Sequence, residues 1–178
     1  MNLDLLPIGW AHLGASLLAL AAGTLVLARP KGTPVHKRRG RIYALSLLVT
    51  NVTALGIYRR GVFFFPHWLA VAALVLMTAG VLAAHFKRPR RSWLHWHLTC
   101  QLGSLYILVG GGVNEMFLRV DALHRLAPTL NFPAVGLIHL VVQIFFLALV
   151  GYFNVALLRR SRTRQLETGE SLAAAGEG

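Results

Sequence analysis

Apolar residues fill five long runs of this chain, and short polar segments separate them. The runs cover residues 6–28, 41–58, 64–86, 93–114 and 132–157. Each run reaches or approaches the roughly 20 residues that a helix needs to cross a bilayer. Apolar and polar positions do not alternate strictly within the runs, which favours helices over the strands of a barrel. The pattern therefore predicts an all-α integral membrane bundle of five transmembrane helices.

The composition agrees with a membrane protein that has no inserted soluble domain. Hydrophobic residues make up 56% of the chain and charged residues only 13%. We expect residues 1–158 to form one transmembrane domain. The remaining residues, 159–178, are polar and end in small side chains, and we expect this tail to be disordered.

Basic residues are distributed unequally between the two ends of the predicted helices. Fourteen of the eighteen lysines and arginines lie after the first, third and fifth runs, and only Arg59, Arg60, Arg119 and Arg125 lie after the second and fourth. Cytoplasmic segments of membrane proteins carry the excess of these residues. The distribution predicts an N-terminus outside the cell and a C-terminus in the cytoplasm.

A net charge of +12 raises the question of nucleic-acid binding. The basic residues lie in short segments beside predicted spans, where membrane orientation and attraction to anionic headgroups explain them. We therefore expect lipid headgroups as partners and no nucleic acid. Cys100 is the single cysteine, so no intramolecular disulfide forms.

Eight histidines lie near the ends of the apolar runs, in two layers. The predicted outer layer contains His12, His67, His124 and His139, and the predicted cytoplasmic layer contains His36, His85, His95 and His97. Ionisable side chains in or beside a bilayer are costly and usually mark a site or a relay. Each layer is therefore a candidate site.

Helical spacing indicates which histidines face the interior of the bundle. Steps of four and three residues connect a stripe along the fourth run: His97, Gln101, Ser104, Leu108, Gly111 and Glu115. Such a stripe is expected to face the bundle rather than lipid, whereas His95 must point elsewhere. Interhelical hydrogen bonding is the alternative explanation of the stripe.

Several short motifs lie in the first two thirds of the chain: His12 with Gly23, Lys31-Gly32, His36-Lys-Arg-Arg-Gly-Arg-Ile-Tyr43, Tyr58, His67-Trp68, and His97 leading into Glu115. In these motifs the chain resembles small bacterial multi-pass membrane proteins of domain-of-unknown-function family 2306. The resemblance implies a shared fold, a bacterial cytoplasmic (inner) membrane location, and a shortlist of positions: His12, His36, His67 and His97. It implies no reaction.

Histidines from two helices can hold a haem iron axially, as in the b-type cytochromes of membranes. In the outer layer, His12 pairs with His67 or with His139. We expect a haem b protein that passes electrons between a quinone and another redox partner.

In the cytoplasmic layer, the corresponding pairs are His36 or His85 with His97. The candidate cofactor-binding residues and iron ligands of the two layers are therefore His12, His36, His67, His97 and His139.

Two other functions stay open. The chain could be a non-catalytic accessory subunit whose histidines only tie helices together. It could instead be a small proton- or metal-coupled transporter, with a relay through His12, Glu115 and His97, because imidazole also suits zinc, copper and iron. No HxxxH or HxxE spacing supports a metal site.

Overall fold

Five long helices make up most of the protein. The computed structural model describes residues 7–57, 62–63, 65–120, 123, 125 and 133–176, with side chains except at 134 and 160–176. The helices are α1 (Pro7–Leu27), α2 (Pro34–Leu55), α3 (Phe65–Phe86), α4 (Trp93–Arg119) and α5 (Pro133–Gly176). No strand occurs in the described residues, so the all-α prediction is confirmed.

Within the described residues, three helices are long and apolar enough to cross a membrane: Pro7–Leu27, Phe65–Phe86 and the part of α5 from Val135 to Arg159. The protein is therefore of the helical membrane class. Helices α2 and α4 are 22 and 27 residues long and less apolar: both carry buried polar side chains, and α2 also begins with the basic residues Lys37, Arg38, Arg39 and Arg41.

The first four helices form a ring. Helix α1 packs on α2, α2 on α3, α3 on α4, and α4 returns to α1, whereas α5 contacts only α4 among the described helices. Apolar side chains from several helices fill the centre, including Leu47, Met77, Leu105 and Phe146. Helix α5 lies outside the ring but contributes Phe146 to this centre, whereas the buried polar side chains belong to α2, α3 and α4.

Small residues let α1 approach its neighbours closely. Ala19 and Ala22 are buried, and a Cβ atom on Gly23 would lie 2.9 Å from Leu105 Cδ1 and 3.1 Å from the Tyr43 ring. Close backbone approach at small residues is a common way to pack helices in membranes. A larger side chain at position 23 would meet Leu105 and the Tyr43 ring, so either these side chains or α1 itself would have to move.

Large apolar side chains cover the outer surfaces of the helices. They include Leu17, Leu45, Val75, Phe145 and Leu147, each more than half exposed. A soluble protein rarely exposes so much contiguous apolar surface. These surfaces suit contact with lipid.

The last helix is longer than the apolar run 132–157 that predicts it. The backbone is helical to Gly176, through the segment for which the sequence predicts a disordered tail. Leucine, glutamate, glutamine, arginine and alanine in this segment favour helices, and a helix that has already formed extends at low cost. Helix α4 likewise continues five residues beyond its predicted end at 114.

Candidate functional site

A tight turn between α1 and α2 positions the first candidate residues. Lys31 Nζ donates hydrogen bonds to the carbonyl oxygens of Val26 at 2.8 Å and Leu27 at 2.6 Å, which closes the C-terminus of α1. Gly32 has a φ of +82°, a conformation that glycine adopts readily. Thr33 caps α2, since its side-chain oxygen accepts a bond from the His36 backbone N–H at 3.1 Å.

This turn also links α1 to α5. The Lys31 ammonium lies 5.2 Å from the centroid of the Phe153 ring, a cation–π contact. Its third hydrogen bond goes to the Arg29 carbonyl at 3.2 Å. Because all three ammonium hydrogens are used, Lys31 contributes its charge to its surroundings rather than a further hydrogen bond.

His36 and His97 lie at the same level of the bundle. His36 precedes Tyr43 by seven residues on α2, and His97 precedes Ser104 by seven residues on α4. The Tyr43 hydroxyl and Ser104 Oγ are 2.7 Å apart. Two helical turns before that contact, about 10 Å along each axis, each helix therefore carries its histidine at the same level.

The electrostatic environment of His36 includes His97, which agrees with their position at the same level. Burial lowers the pKa of the His36 imidazole from its ordinary value, and electrostatic interaction with Lys31 and His97 lowers it further. The neutral imidazole is therefore the favoured form of His36. A neutral imidazole is also the form that binds metals.

His97 is held by the backbone of α3. Its Nδ1 lies 2.8 Å from the Gly80 carbonyl oxygen, and one turn later Gln101 donates a bond to the Met77 carbonyl at 3.0 Å. Since a carbonyl only accepts, Nδ1 of His97 carries the proton and Nε2 retains its lone pair. Metal-binding histidines are commonly oriented by this kind of bond.

Two buried nitrogens in this region have no hydrogen-bond partner in the part of the chain that the structure describes: Nδ1 of His36 and Nη1 of Arg39. The two residues are three positions apart on α2 and share a face. Buried polar groups are nearly always satisfied, so unsatisfied ones call for an explanation. We refer to Lys31, His36, Arg39 and His97 as the basic-end cluster.

The basic-end cluster has no carboxylate beside it among the described side chains. Glu115 carries the one carboxylate in that set, and it pairs with Arg119 near the other end of α4. Glu115 is exposed, although His97, Gln101 and Ser104 of the same stripe bond within the bundle as predicted. The relay predicted through His12, Glu115 and His97 is therefore not assembled.

The outer histidines are distributed over different helices. His12 Nδ1 lies 2.9 Å from the Thr50 carbonyl and 3.1 Å from Thr53 Oγ1, so it ties α1 to α2. His67 is 2% exposed and stacks on Phe63 with a centroid distance of 4.7 Å. Helix α1 contacts neither α3 nor α5. Nothing in these contacts joins His12 to His67.

His139 and His95 attach α5 to α4. His139 Nε2 lies 2.8 Å from Asn114 Oδ1, and His95 Nδ1 bonds Asn154 Oδ1. The two bonds are 19 residues apart on α4, about 28 Å, so they lie near opposite ends of the contact. Sequence reasoning missed the role of His95. The available signal was Asn154, an amide within an apolar run that needs a partner.

The remaining histidines and pockets contribute less to this site. His85 is exposed and touches Phe86 edge to face, whereas His124 lies outside the described residues, as does Tyr58. Two surface pockets of about 640 and 510 Å³ lie at the end of α3, and no histidine lines either of them. The basic-end cluster is thus the place where predicted site residues meet.

Among the described residues, no group of three or more His, Cys, Asp or Glu side chains is arranged to hold a metal ion. No family model, curated protein or solved structure matches the chain. The resemblance to the family of small bacterial membrane proteins stays a prediction. A functional assignment therefore depends on the geometry of the cluster itself.

Proposed function

We propose that all five helices cross the bacterial cytoplasmic membrane, with the N-terminus outside and the C-terminus inside. Helices α2 and α4 are long enough, at about 33 and 40 Å. They run antiparallel to the apolar helices beside them, and their polar side chains face the bundle. The excess of basic residues at one end gives the orientation.

Single cysteines test this topology. In a Cys100→Ala background, Val62→Cys should react with a membrane-impermeant maleimide in intact spheroplasts. Arg91→Cys, at the other end of α3, should react only after lysis. Both positions are exposed, so accessibility of the thiol depends on the side of the membrane. The reverse labelling pattern would refute the orientation.

We further propose that the protein binds haem b at the basic-end cluster, between His36 and His97. The observation that supports this proposal is the buried Nδ1 of His36. It lacks a partner among the described residues and lies at the level of His97. His97 keeps the Nε2 lone pair free because its Nδ1 proton is bonded to Gly80. His36 on α2 and His97 on α4 would hold the haem iron, as pairs of histidines do in the b-type cytochromes of membranes.

The cations of the cluster suit the two carboxylates of haem. One buried nitrogen of Arg39 has no hydrogen-bond partner among the described residues, and Lys31 adds positive charge at the same end of the bundle. A guanidinium binds a carboxylate strongly through charge-assisted bonds. Bound there, haem would supply a one-electron couple for exchange with a quinone or another redox partner.

Optical spectra of the protein purified in detergent, after growth with haem available, test this proposal. A reduced-minus-oxidised difference spectrum of a b-type haem is expected. His36→Ala and His97→Ala should abolish it or lower haem content severely. His139→Ala, which loses a helix contact of similar kind, should keep it. A colourless folded preparation would rule the proposal out.

A second candidate function is that of a non-catalytic accessory subunit. It is favoured by the four histidines that bond to other helices: His12, His95, His97 and His139. In that case the spectrum stays blank, and replacing any of the four lowers the unfolding temperature by similar amounts. Unequal effects concentrated at His36 and His97 on haem content would exclude it.

A further inference from the structure

The end of the α3–α4 hairpin carries an apolar groove that leads to a cationic loop. The groove has a volume of about 640 Å³ and is lined by Ala79, Leu82, Ala83, Phe86, Arg88 and Trp96, together with the proline after Arg88. A second pocket of about 510 Å³ adjoins it. The two pockets share Phe86 and Arg88, and the second adds Lys87, Arg90 and Trp93.

The shape of the groove follows from its side chains. Ala79 and Ala83 lie one turn apart and leave a shallow floor on α3. Leu82, Phe86 and Trp96 project beside it and are 47%, 63% and 55% exposed. An open groove of this volume with apolar walls suits a hydrocarbon chain.

The mouth of the groove is positively charged. Arg88 lines both pockets, and Lys87 and Arg90 line the second. Glu115 carries the one carboxylate among the described side chains, and it pairs with Arg119 at the other end of α4. No described carboxylate therefore lies beside these cations. Trp93 and Trp96 lie beside these cations, and tryptophan favours the headgroup level of a membrane.

We infer that the groove and its cationic mouth bind one anionic phospholipid. One acyl chain lies against Ala79 and Ala83, and the phosphate contacts Arg88. Charge complementarity selects an anionic headgroup over a zwitterionic one, and basic pockets beside membrane helices bind such headgroups. The inference rests on the proposed membrane placement of α3 and α4, but it does not depend on haem.

This site differs from general attraction between a basic loop and an anionic surface. Surface attraction depends on the number of cations, whichever residues carry them. Binding of a lipid in a specific pocket depends instead on the particular residues that line the pocket. Arg91 is exposed in the same loop but lines neither pocket, which makes it a matched control for Arg88.

Lipid-dependent thermal unfolding of the full chain in mild detergent tests the inference. Added phosphatidylglycerol should raise the unfolding temperature in a saturable way, whereas phosphatidylcholine should leave it unchanged. Native mass spectrometry should detect one retained phosphatidylglycerol per chain. Inorganic phosphate should not replace the lipid, because it cannot use the apolar groove.

Variants separate the headgroup and chain contacts. Arg88→Gln should weaken the phosphatidylglycerol response about tenfold, since a charge-assisted bond contributes about that much. Ala83→Phe should weaken it by filling the floor of the groove. Arg91→Gln is the charge control, and Val75→Phe on a 61% exposed position of the same helix is the bulk control. Both controls should bind lipid normally.

Three results would overturn the inference. A phosphatidylcholine response equal to that of phosphatidylglycerol would show that charge plays no part. An equal response to inorganic phosphate would indicate a free-phosphate site. An equal loss in Arg88→Gln and Arg91→Gln would indicate surface attraction alone. The haem spectrum tests the haem proposal separately, because none of these variants replaces His36 or His97.

Discussion

The Tyr43 hydroxyl lies 2.7 Å from Ser104 Oγ, and this bond joins α2 to α4 across the centre of the bundle. Ser104 also donates to the Gln101 carbonyl at 2.9 Å. Because a hydroxyl has a single hydrogen, Tyr43 must be the donor in the contact between the two side chains. Both residues are almost fully buried, at 5% and 0% exposed, so water does not replace either partner.

This assignment predicts unequal effects for the two single substitutions. Tyr43→Phe removes the donor but leaves Ser104 bonded to Gln101, so the free energy of unfolding should fall by about 1 kcal/mol. Ser104→Ala leaves the buried tyrosine hydroxyl without an acceptor and should cost about 1–3 kcal/mol. Denaturant unfolding in detergent measures both values. An equal or reversed order would contradict the assigned donor.

Stability should fall in mild acid because of His36. Burial, Lys31 and His97 hold the pKa of its imidazole below the ordinary value of 6.5. Below that value the unfolded chain takes up a proton at His36 before the folded chain does, so this stability is present above pH 6.5 and is lost as pH falls through the folded pKa.

The measurement is the unfolding temperature as a function of pH, without added haem. The difference between the wild type and His36→Gln isolates the contribution of His36 from that of the other histidines. We expect this difference to change below about pH 6.5. A difference that stays constant down to pH 5 would contradict the lowered pKa.

Gly80 should not tolerate a side chain. A Cβ atom there would lie 2.5 Å from Gln101 Nε2 and 3.1 Å from Cys100 Cβ. Gly80→Ala must displace the Gln101 amide from the Met77 carbonyl, at a cost of about 1–3 kcal/mol in unfolding free energy. Gly14→Ala is the control, since nothing lies within 4 Å of its Cβ position. It should leave stability unchanged or raise it by up to about 1 kcal/mol.

The bond between His139 and Asn114 should contribute measurably to the attachment of α5. A double-mutant cycle with His139→Ala and Asn114→Ala should give a coupling energy of about 0.6 kcal/mol, within the range found for polar pairs in membranes. A cycle between His139→Ala and Asn154→Ala should give none, because the two bonds lie near opposite ends of α4. Coupling of the distant pair would indicate that α5 docks as a single rigid unit.

The sequence predicts directions of side chains better than it predicts partners. Helical spacing correctly places His97, Gln101 and Ser104 toward the bundle, because the period of a helix fixes the face of each residue. The bond of His95 to Asn154 depends on how α5 packs on α4, and the pattern of one helix does not contain that information. For Glu115 the spacing gives the face, but it does not show whether a neighbouring helix covers that face.

The basic-end cluster was only partly predictable. The histidine layer suggested His36 and His97, and the basic loop contained Lys31 and Arg39 as unexplained charges. Their roles depend on local geometry: Lys31 folds back onto the carbonyls of α1, and Arg39 turns one nitrogen into the protein. Neither outcome follows from residue spacing, since both depend on how each side chain packs in the folded protein.

Helix α5 packs along α4 and adds Phe146 to the apolar centre, which has a consequence for biosynthesis. Ribosomes release α5 last, after the four earlier helices are available to close the ring. The contacts among α1–α4 that position His36 and His97 can therefore form before the C-terminal helix docks along α4. A nascent chain arrested just before Pro133 should already contain those contacts, and the last helix then completes the apolar centre.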